Sequence, residues 1–293
     1  MDDSLQAEAR AAVLDWFDAT GRTLPFRASS DPYGILVSEV MAQQTQISRV
    51  AATWTAFMTA FPTIHLLAAA PAADVLRAWR GLGYNRRALN LQRAARAIVA
   101  EHGGRVPSTL ADLERLPGIG PYTARAVASL AYGQRVGPVD TNVRRVLQRV
   151  IAADEPMAPA RLQAAADAAV PADRPADWTH ALMDIGATLC RPASPRCGQC
   201  PLRGWCAFAS RGTALPARPR SRGAQPFATT TRWVRGRIID RLRDAPAGEW
   251  TLVQGPIGTH DQPMVDGAIG ALEREGLLER HREDPRLLRL SVA

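Results

Sequence analysis

All four cysteines of this 293-residue chain fall in one short segment, with the spacing Cys-x6-Cys-x2-Cys-x5-Cys, at Cys190, Cys197, Cys200 and Cys206. A disulfide framework is typical of small secreted domains. The start of this sequence, with Asp2 and Asp3, lacks the basic and apolar stretches of a secretory leader. We therefore expect a cytoplasmic protein in which one shared metal centre explains all four thiols.

The spacing alone leaves two kinds of metal centre open. Zinc sites usually contain paired Cys-x2-Cys motifs, and only Cys197 and Cys200 are so spaced here. Four thiolates also ligate a cubane iron–sulfur cluster. In either case the loop closes on itself and leaves no open coordination position, so we predict a structural role for the centre.

Apolar residues recur at helical spacing through most of the first 190 residues, for example at Ala12, Val13, Trp16 and Phe17. Glycine and proline interrupt this pattern repeatedly, which predicts about ten short helices and an all-α body. The length exceeds that of a usual single domain, and it favours one large helical domain with a small appendage, or two lobes.

The chain changes character after the last cysteine. Residues 209–228 contain arginine and proline but no acidic residue, which is typical of a basic, extended linker. In residues 229–293 we predict a helix at Trp233–Leu242, a second helix that includes Met264–Leu272, and a hairpin of two strands around Pro285. This small α/β module is consistent with a winged helix, and the helical domain is predicted to span residues 1–208.

The formal net charge is +8, and every one of the 36 basic residues is arginine because the sequence contains no lysine. A basic chain suits a polyanionic partner, nucleic acid first and a membrane surface second. The longest apolar runs fall short of the roughly 20 residues that span a bilayer, so we predict no membrane segment. The absence of lysine excludes chemistry that needs a side-chain amine.

The stretch LPGIGPYTARAVASLAYG predicts a helix-hairpin-helix. It places Gly118 and Gly120 in a tight turn, with Pro121 at the start of the following helix. The two glycines let the backbone approach a DNA phosphate closely. The following helix offers free amides and the positive end of its dipole to the same phosphate.

Two carboxylic residues stand out as candidates for chemistry. Glu39 lies in a mostly apolar helical segment, so we predict a partly buried carboxyl group with a raised pKa. Asp140 directly precedes a helical run that contains Val143 and Val146, where the residues alone fit a helix N-cap equally well.

A series of motifs extends from about Leu5 to Cys206. In chain order, the series consists of LPFR, DPYGILVSEVMAQQTQ, WRGLGYNRRALNL, the hairpin, VDTNVRRVL and the four cysteines. This series closely resembles the MutY-type adenine DNA glycosylases of the endonuclease III superfamily. The resemblance implies a two-lobed, all-α helix-hairpin-helix glycosylase fold with a [4Fe-4S] cluster on the four cysteines.

The resemblance also implies an activity and the residues that carry it. The enzyme would be monofunctional and would excise adenine opposite 8-oxoguanine or guanine from double-stranded DNA. A monomer is the default expectation and does not follow from the resemblance. Glu39 would protonate adenine N7 and later help to activate water, while Asp140 would stabilise the positive sugar. The remaining catalytic candidates are Tyr122 and Asn142, and the DNA-binding candidates are Gln43, Tyr84, Gly118, Gly120, Arg191 and Arg196.

Tyr122 occupies the hairpin position where lyase relatives have a lysine, and it is expected to hydrogen-bond the catalytic carboxylates. Asn142 is expected to orient the acids or the water. Gln43 and Tyr84 match positions that enter the duplex when a base is extruded, Gln43 in place of the adenine and Tyr84 beside the opposite purine.

The chain departs from the family pattern at Phe26, Asn85 and Thr141, where tryptophan, tyrosine and glycine are common. The segment after Cys206 is also short for the nudix-like domain that checks for 8-oxoguanine. Three alternatives follow: an endonuclease III-like lyase, which the lack of lysine disfavours; a thymine-mismatch glycosylase; and a non-catalytic iron–sulfur DNA-binding regulator.

Overall fold

The computed structural model describes residues 3–212, 223 and 225–292. The chain divides into two compact units, and each is built from separate stretches of sequence. The first unit contains residues Met1–Glu39, Val106–Arg115 and Ile119–Pro219, and the second contains Val40–Arg105, Leu116–Gly118 and Arg220–Ala293. Most of the predicted linker, residues 213–222 and 224, lies outside the described residues, and the predicted domain boundaries stay a prediction.

The first unit is helical. Its helices are α1 (Asp3–Thr20), most of α2 (Pro32–Ala42), α7 (Leu110–Arg115), α8 (Pro121–Tyr132), α9 (Thr141–Ala152), α10 (Pro159–Ala169), α11 (Pro175–Asp184) and α12 (Ala207–Ser210). Helix α11 continues into one π-helical turn, Ile185–Leu189. The core of this unit forms where apolar faces of α1, α9, α10 and α11 meet, and includes Val13, Val146, Leu162, Trp178 and Ile185.

The second unit begins with the end of α2 and continues through α3 (Ile47–Ala60), α4 (Ile64–Ala69), α5 (Ala72–Ala78) and α6 (Arg86–His102). Trp79 is fully buried against Phe57, with their rings edge to face at 5.8 Å. Helix α6 ends at Gly103 in the left-handed region, as the glycine–proline punctuation predicts.

The second unit also contains the C-terminal α/β module, which we define as residues 225–292. It comprises α13 (Thr231–Asp244), β1 (Thr251–Leu252), α14 (Gln262–Arg274), β2 (Leu278–Arg280) and β3 (Leu287–Leu290). The strands form an antiparallel sheet in the order β1-β3-β2, in which Leu278 pairs with Leu290. Both predicted helices and the hairpin are present, whereas β1 was not predicted because two residues are too few to show alternation.

The helical body and the small strand-containing module confirm the predicted fold class. Within the described part of the chain, no helix combines the length and the apolar character that a bilayer-spanning segment requires.

Candidate active site

Helix α2 carries Glu39 among apolar side chains, and only 7 % of the residue is exposed. Burial raises the pKa of its carboxyl group to about 7, a hydrogen bond from Tyr122 opposes that rise, and the nearby charge of Asp140 adds to it. The Oε2 atom is buried without a hydrogen-bond partner among the described residues. The raised pKa favours the protonated form of this carboxyl group near neutral pH.

Tyr122, in the first turn of α8, is placed beside both candidate acids. Burial and the charges of Glu39 and Asp140 raise the pKa of its hydroxyl well above the usual value. The hydroxyl therefore keeps its proton and remains a hydrogen-bond donor to Glu39. The structure brings Glu39, Tyr122 and Asp140 together although they are far apart in sequence.

Asp140 is the N-cap of α9, and both of its oxygens accept hydrogen bonds. Oδ1 accepts from the Val143 amide at 2.6 Å, and Oδ2 accepts from the Asn142 side-chain amide at 2.9 Å. The capping role and the catalytic role are therefore compatible. The N-terminal end of a helix stabilises a negative charge at this position.

Asn142 is itself held in place by two neighbours. Its Oδ1 accepts a hydrogen bond from Arg145 at 2.8 Å, and Arg145 also donates to the main-chain carbonyls of Gly186 (2.7 Å) and Cys190 (2.6 Å). A Cβ atom at Gly186 would lie 2.6 Å from the Asn142 Cβ, so only glycine fits there. Sequence patterns did not indicate Gly186, because it lies in the π-helical turn after α11, on a different segment from Asp140. Arg145 lies on α9, the helix that Asp140 caps.

A cavity of about 230 Å³ opens beside Glu39, which forms part of its wall. Ser38, Arg27 and His180 supply polar groups to the same wall. Burial, together with the charge of Arg27, lowers the pKa of His180 to about 3, so its imidazole is uncharged at neutral pH. The cavity is thus lined by one carboxyl group of raised pKa and by several uncharged or cationic hydrogen-bonding groups.

A buried ion cluster, which was not predicted from the sequence, holds Arg27 in the wall of this cavity. Asp184, 1 % exposed, accepts hydrogen bonds from Arg22 Nε at 2.7 Å and from both terminal nitrogens of Arg27 at 2.7 and 2.9 Å. Burial raises the pKa of Asp184, but the hydrogen bonds from Arg27 and Arg22 outweigh it, and the pKa falls below its usual value. The only sequence signal for this cluster was Arg27 in the LPFR motif.

The two hairpin glycines meet different requirements. Gly118 has φ +79°, and a Cβ there would lie 2.7 Å from the Asn90 Cβ, so both backbone and space demand glycine. Gly120 caps α8 in extended backbone, and a Cβ there would meet no atom within 4 Å. The space over Gly120 and the free amides of α8 suit the close approach of a phosphate.

Gln43 and Tyr84 lie on two loops of the second unit that share one arginine. Arg87 donates hydrogen bonds to the Val40 and Met41 carbonyls at 2.8 Å, and to the Leu82 and Gly83 carbonyls at 3.2 Å. The Gln43 side chain reaches the Gly118 carbonyl at 3.4 Å. Tyr84 adopts a positive φ of 44° and is 39 % exposed. Arg87 thus fixes both loops that carry the predicted intercalating residues.

The four cysteines line one small pocket, together with Arg149 and apolar side chains of the first unit. All four are free thiols, and burial raises the pKa of Cys200 to about 11. An Arg149 nitrogen lies 3.6 Å from the Cys190 sulfur. Among the described residues, no three His, Cys, Asp or Glu side chains converge on a position that suits a single metal ion. Four thiols that line one pocket are nevertheless the donor set of an iron–sulfur cluster, in which each thiolate binds a different iron.

Arg191 and Arg196 lie in the cysteine loop and are exposed. The Nε of Arg191 donates to the Thr188 carbonyl at 3.0 Å. Their exposure suits contact with phosphates, which stays a prediction.

Comparison with known proteins supports the same family. Residues 37–171 match the family of HhH-GPD superfamily base excision DNA repair proteins. The chain is 42 % identical to an adenine DNA glycosylase of Mycolicibacterium smegmatis over 92 % of both chains, and 46 % identical to one of Mycobacterium tuberculosis over 92 % of this chain and 89 % of that protein. The human adenine DNA glycosylase is 42 % identical over 67 % of this chain and 38 % of its own length.

Solved structures show the same fold. A thermostable thymine-DNA glycosylase matches with a TM-score of 0.67 at 28 % identity, over 71 % of this chain and 98 % of that one. An endonuclease III in a non-covalent DNA complex matches with a TM-score of 0.61 at 23 % identity, over 72 % of this chain and 98 % of that one. With the mycobacterial alignments over nearly the whole chain, these matches establish that the chain belongs to the MutY-type adenine DNA glycosylases of the HhH-GPD superfamily.

Proposed function

We propose that this enzyme is a monofunctional glycosylase that hydrolyses the N-glycosidic bond of adenine paired with 8-oxoguanine or guanine in duplex DNA. One observation carries the proposal: Glu39 is buried beside a cavity of about 230 Å³, has a pKa of about 7, and keeps one oxygen without a hydrogen-bond partner among the described residues. The names of the mycobacterial relatives support adenine as the excised base.

The reaction follows from the two carboxyl groups. Glu39 donates its proton to N7 of the extruded adenine, and the bond between N9 and C1′ breaks with its electron pair going to the base. The sugar is left with a positive charge, which the Asp140 carboxylate stabilises. Water then adds to C1′ and gives its proton to Glu39, which restores the acid.

Neighbouring residues hold this pair in position. Asn142 binds Asp140 Oδ2, and Tyr122 binds the Glu39 carboxyl. Since the sequence contains no lysine, no side-chain amine is available to attack the product sugar as a Schiff base. The product is therefore an intact strand with an abasic site.

DNA binding uses two sets of residues. The hairpin at Gly118 and Gly120, with Arg191 and Arg196, contacts phosphates. Gln43 enters the space that the extruded adenine leaves, and Tyr84 enters the duplex beside the opposite purine. We propose that the enzyme acts as a monomer.

The four cysteines fit a [4Fe-4S] cluster, held by Cys190, Cys197, Cys200 and Cys206. When bound, the cluster stabilises the loop that these cysteines delimit and leaves no position open for substrate. Iron and inorganic sulfide should copurify with the protein in equal amounts, whereas copurified zinc would contradict this assignment.

A single-turnover assay on duplexes with adenine opposite 8-oxoguanine, guanine or cytosine tests the activity. We expect release of adenine opposite 8-oxoguanine and guanine, with strand breakage only after alkali is added. Breakage without alkali would favour a lyase, release of thymine from a mismatch would favour a thymine glycosylase, and binding without release would favour a non-catalytic regulator.

A further inference from the structure

The C-terminal module holds the Tyr84 loop through one helix. Arg232 and Arg243 lie eleven positions apart on α13, which is close to three full turns, so they project from the same side of the helix. Arg243 is buried and donates hydrogen bonds to the Leu76 carbonyl and to the Asn85 side chain, each at 2.8 Å. Arg232 stacks on the neighbouring residue, Tyr84.

The contact between Arg232 and Tyr84 is close and specific. The guanidinium carbon of Arg232 lies 3.9 Å from the centre of the Tyr84 ring, whereas that of Arg87 lies 5.6 Å away. The stacked guanidinium covers one face of the ring, and Tyr84 nevertheless stays 39 % exposed.

Arg232 is exposed and takes part in no ion pair within residues 3–212, 223 and 225–292. Phe227, 60 % exposed, lies on its other side, with the guanidinium 5.8 Å from the ring centre. Other arginines of α13 differ, since Arg235 pairs with Glu275 and Arg237 with Asp240. An exposed guanidinium between two exposed rings, without a carboxylate, suits a surface that meets DNA.

We propose that Arg232 is a positioning residue for Tyr84. Through it, the C-terminal module sets the orientation of the ring that enters DNA beside the purine opposite the excised adenine. Discrimination between 8-oxoguanine and guanine then depends on the module, although the module holds none of the groups that cleave the bond. The inference rests on the proposed function, because it assigns Tyr84 a place in the DNA complex.

The test uses the full-length protein and the variants Arg232→Ala, Arg232→Lys, Tyr84→Ala and the double variant. Arg241→Ala is the matched control, because Arg241 is an exposed arginine of the same helix. Single-turnover rates are measured with adenine opposite 8-oxoguanine and opposite guanine, and thermal melting confirms that each variant is folded.

We expect Arg232→Ala to reduce the preference for 8-oxoguanine over guanine by about 2- to 30-fold, the range that a cation–π contact supports. Arg241→Ala should leave the preference unchanged. Arg232→Lys should restore part of it, because lysine keeps the charge but not the planar stack. Once Tyr84 is replaced by alanine, the second change at Arg232 should have no further effect on the preference.

Two results would overturn the proposal. The first is additive effects of the Arg232 and Tyr84 substitutions on the preference. The second is an unchanged preference in Arg232→Ala, combined with a slope of log DNA affinity against log salt concentration that is smaller by about one. That combination would identify Arg232 as a phosphate contact only. If the unaltered protein releases no adenine at all, the proposed function fails instead, and the two failures are thereby distinguished.

Discussion

The surroundings of Glu39 and of Asp140 differ in the way that the proposed reaction requires. Glu39 lies in an apolar helix and accepts a hydrogen bond from Tyr122, its other oxygen has no partner in the described part of the chain, and its pKa is raised to about 7. Asp140 lies at a helix N-terminus, and N–H groups bind both of its oxygens. The fold thus gives the same functional group two different environments, burial in one case and hydrogen bonding in the other, which suit the proposed proton donor and the proposed stabilising anion.

Replacing Glu39 by glutamine tests the proton-donor half of this comparison and should have the largest effect. Glutamine keeps the shape of the side chain but cannot donate an acidic proton, so we expect a loss near the upper end of the roughly 100- to 10,000-fold range for general acid catalysis. Single-turnover excision measures the loss, and duplex affinity should be unchanged. Glu114→Gln, on the exposed face of α7, is the control, and an unimpaired rate in Glu39→Gln would show that the proton comes from elsewhere.

Replacing Asp140 by asparagine tests whether the negative charge of this side chain stabilises the positive sugar. Asparagine caps helices as well as aspartate does, so the fold of α9 should persist while the negative charge is lost. We expect excision to slow by roughly 100- to 1,000-fold, the cost of removing one preorganised electrostatic contact. A rate close to that of the unaltered enzyme, in a variant with an unchanged melting temperature, would leave Asp140 with the capping role alone.

Asn142→Ala removes the side-chain donor to Asp140 and should have a smaller effect. A hydrogen bond to a charged group contributes about 1.5–3 kcal/mol, which corresponds to a rate loss of roughly 10- to 100-fold. Thr141→Ala, an exposed neighbour without a side-chain contact to Asp140, serves as the control in the same assay. Equal rates in the two variants would contradict the positioning role of Asn142.

The pH dependence of the excision rate tests the raised pKa of Glu39. Glu39 must be protonated to act, so the excision rate should be highest below about pH 7 and should fall as the pH rises through that pKa. Tyr122→Phe removes the hydrogen bond that lowers this pKa, and the falling limb should therefore move to higher pH. A shift to lower pH would show that Tyr122 does not stabilise the charged form of Glu39.

Several of these features were predictable from the sequence because they are local. The apolar neighbours of Glu39 along α2 predict its burial, and the glycines of the hairpin predict its turn. The helix after Asp140 predicts its capping position. Each of these inferences needs only a short window of residues and one periodicity.

The remaining features depend on pairs that are distant in sequence. Asp184 is bound by Arg22 and Arg27, and Arg232 stacks on Tyr84, although about 150 residues separate the partners in each case. With 36 arginines in the chain, composition gives no means of choosing which one reaches which partner. The cavity beside Glu39 and the role of Arg87 were missed for the same reason.

Gly186 has a consequence for inherited variation. Because its α-carbon packs directly against Asn142, even the addition of a single methyl group would push the amide away from Asp140 while both acids remained in the sequence. A survey of substitutions scored by mutation rate in living cells should therefore find this unremarkable position almost as intolerant as the acids themselves.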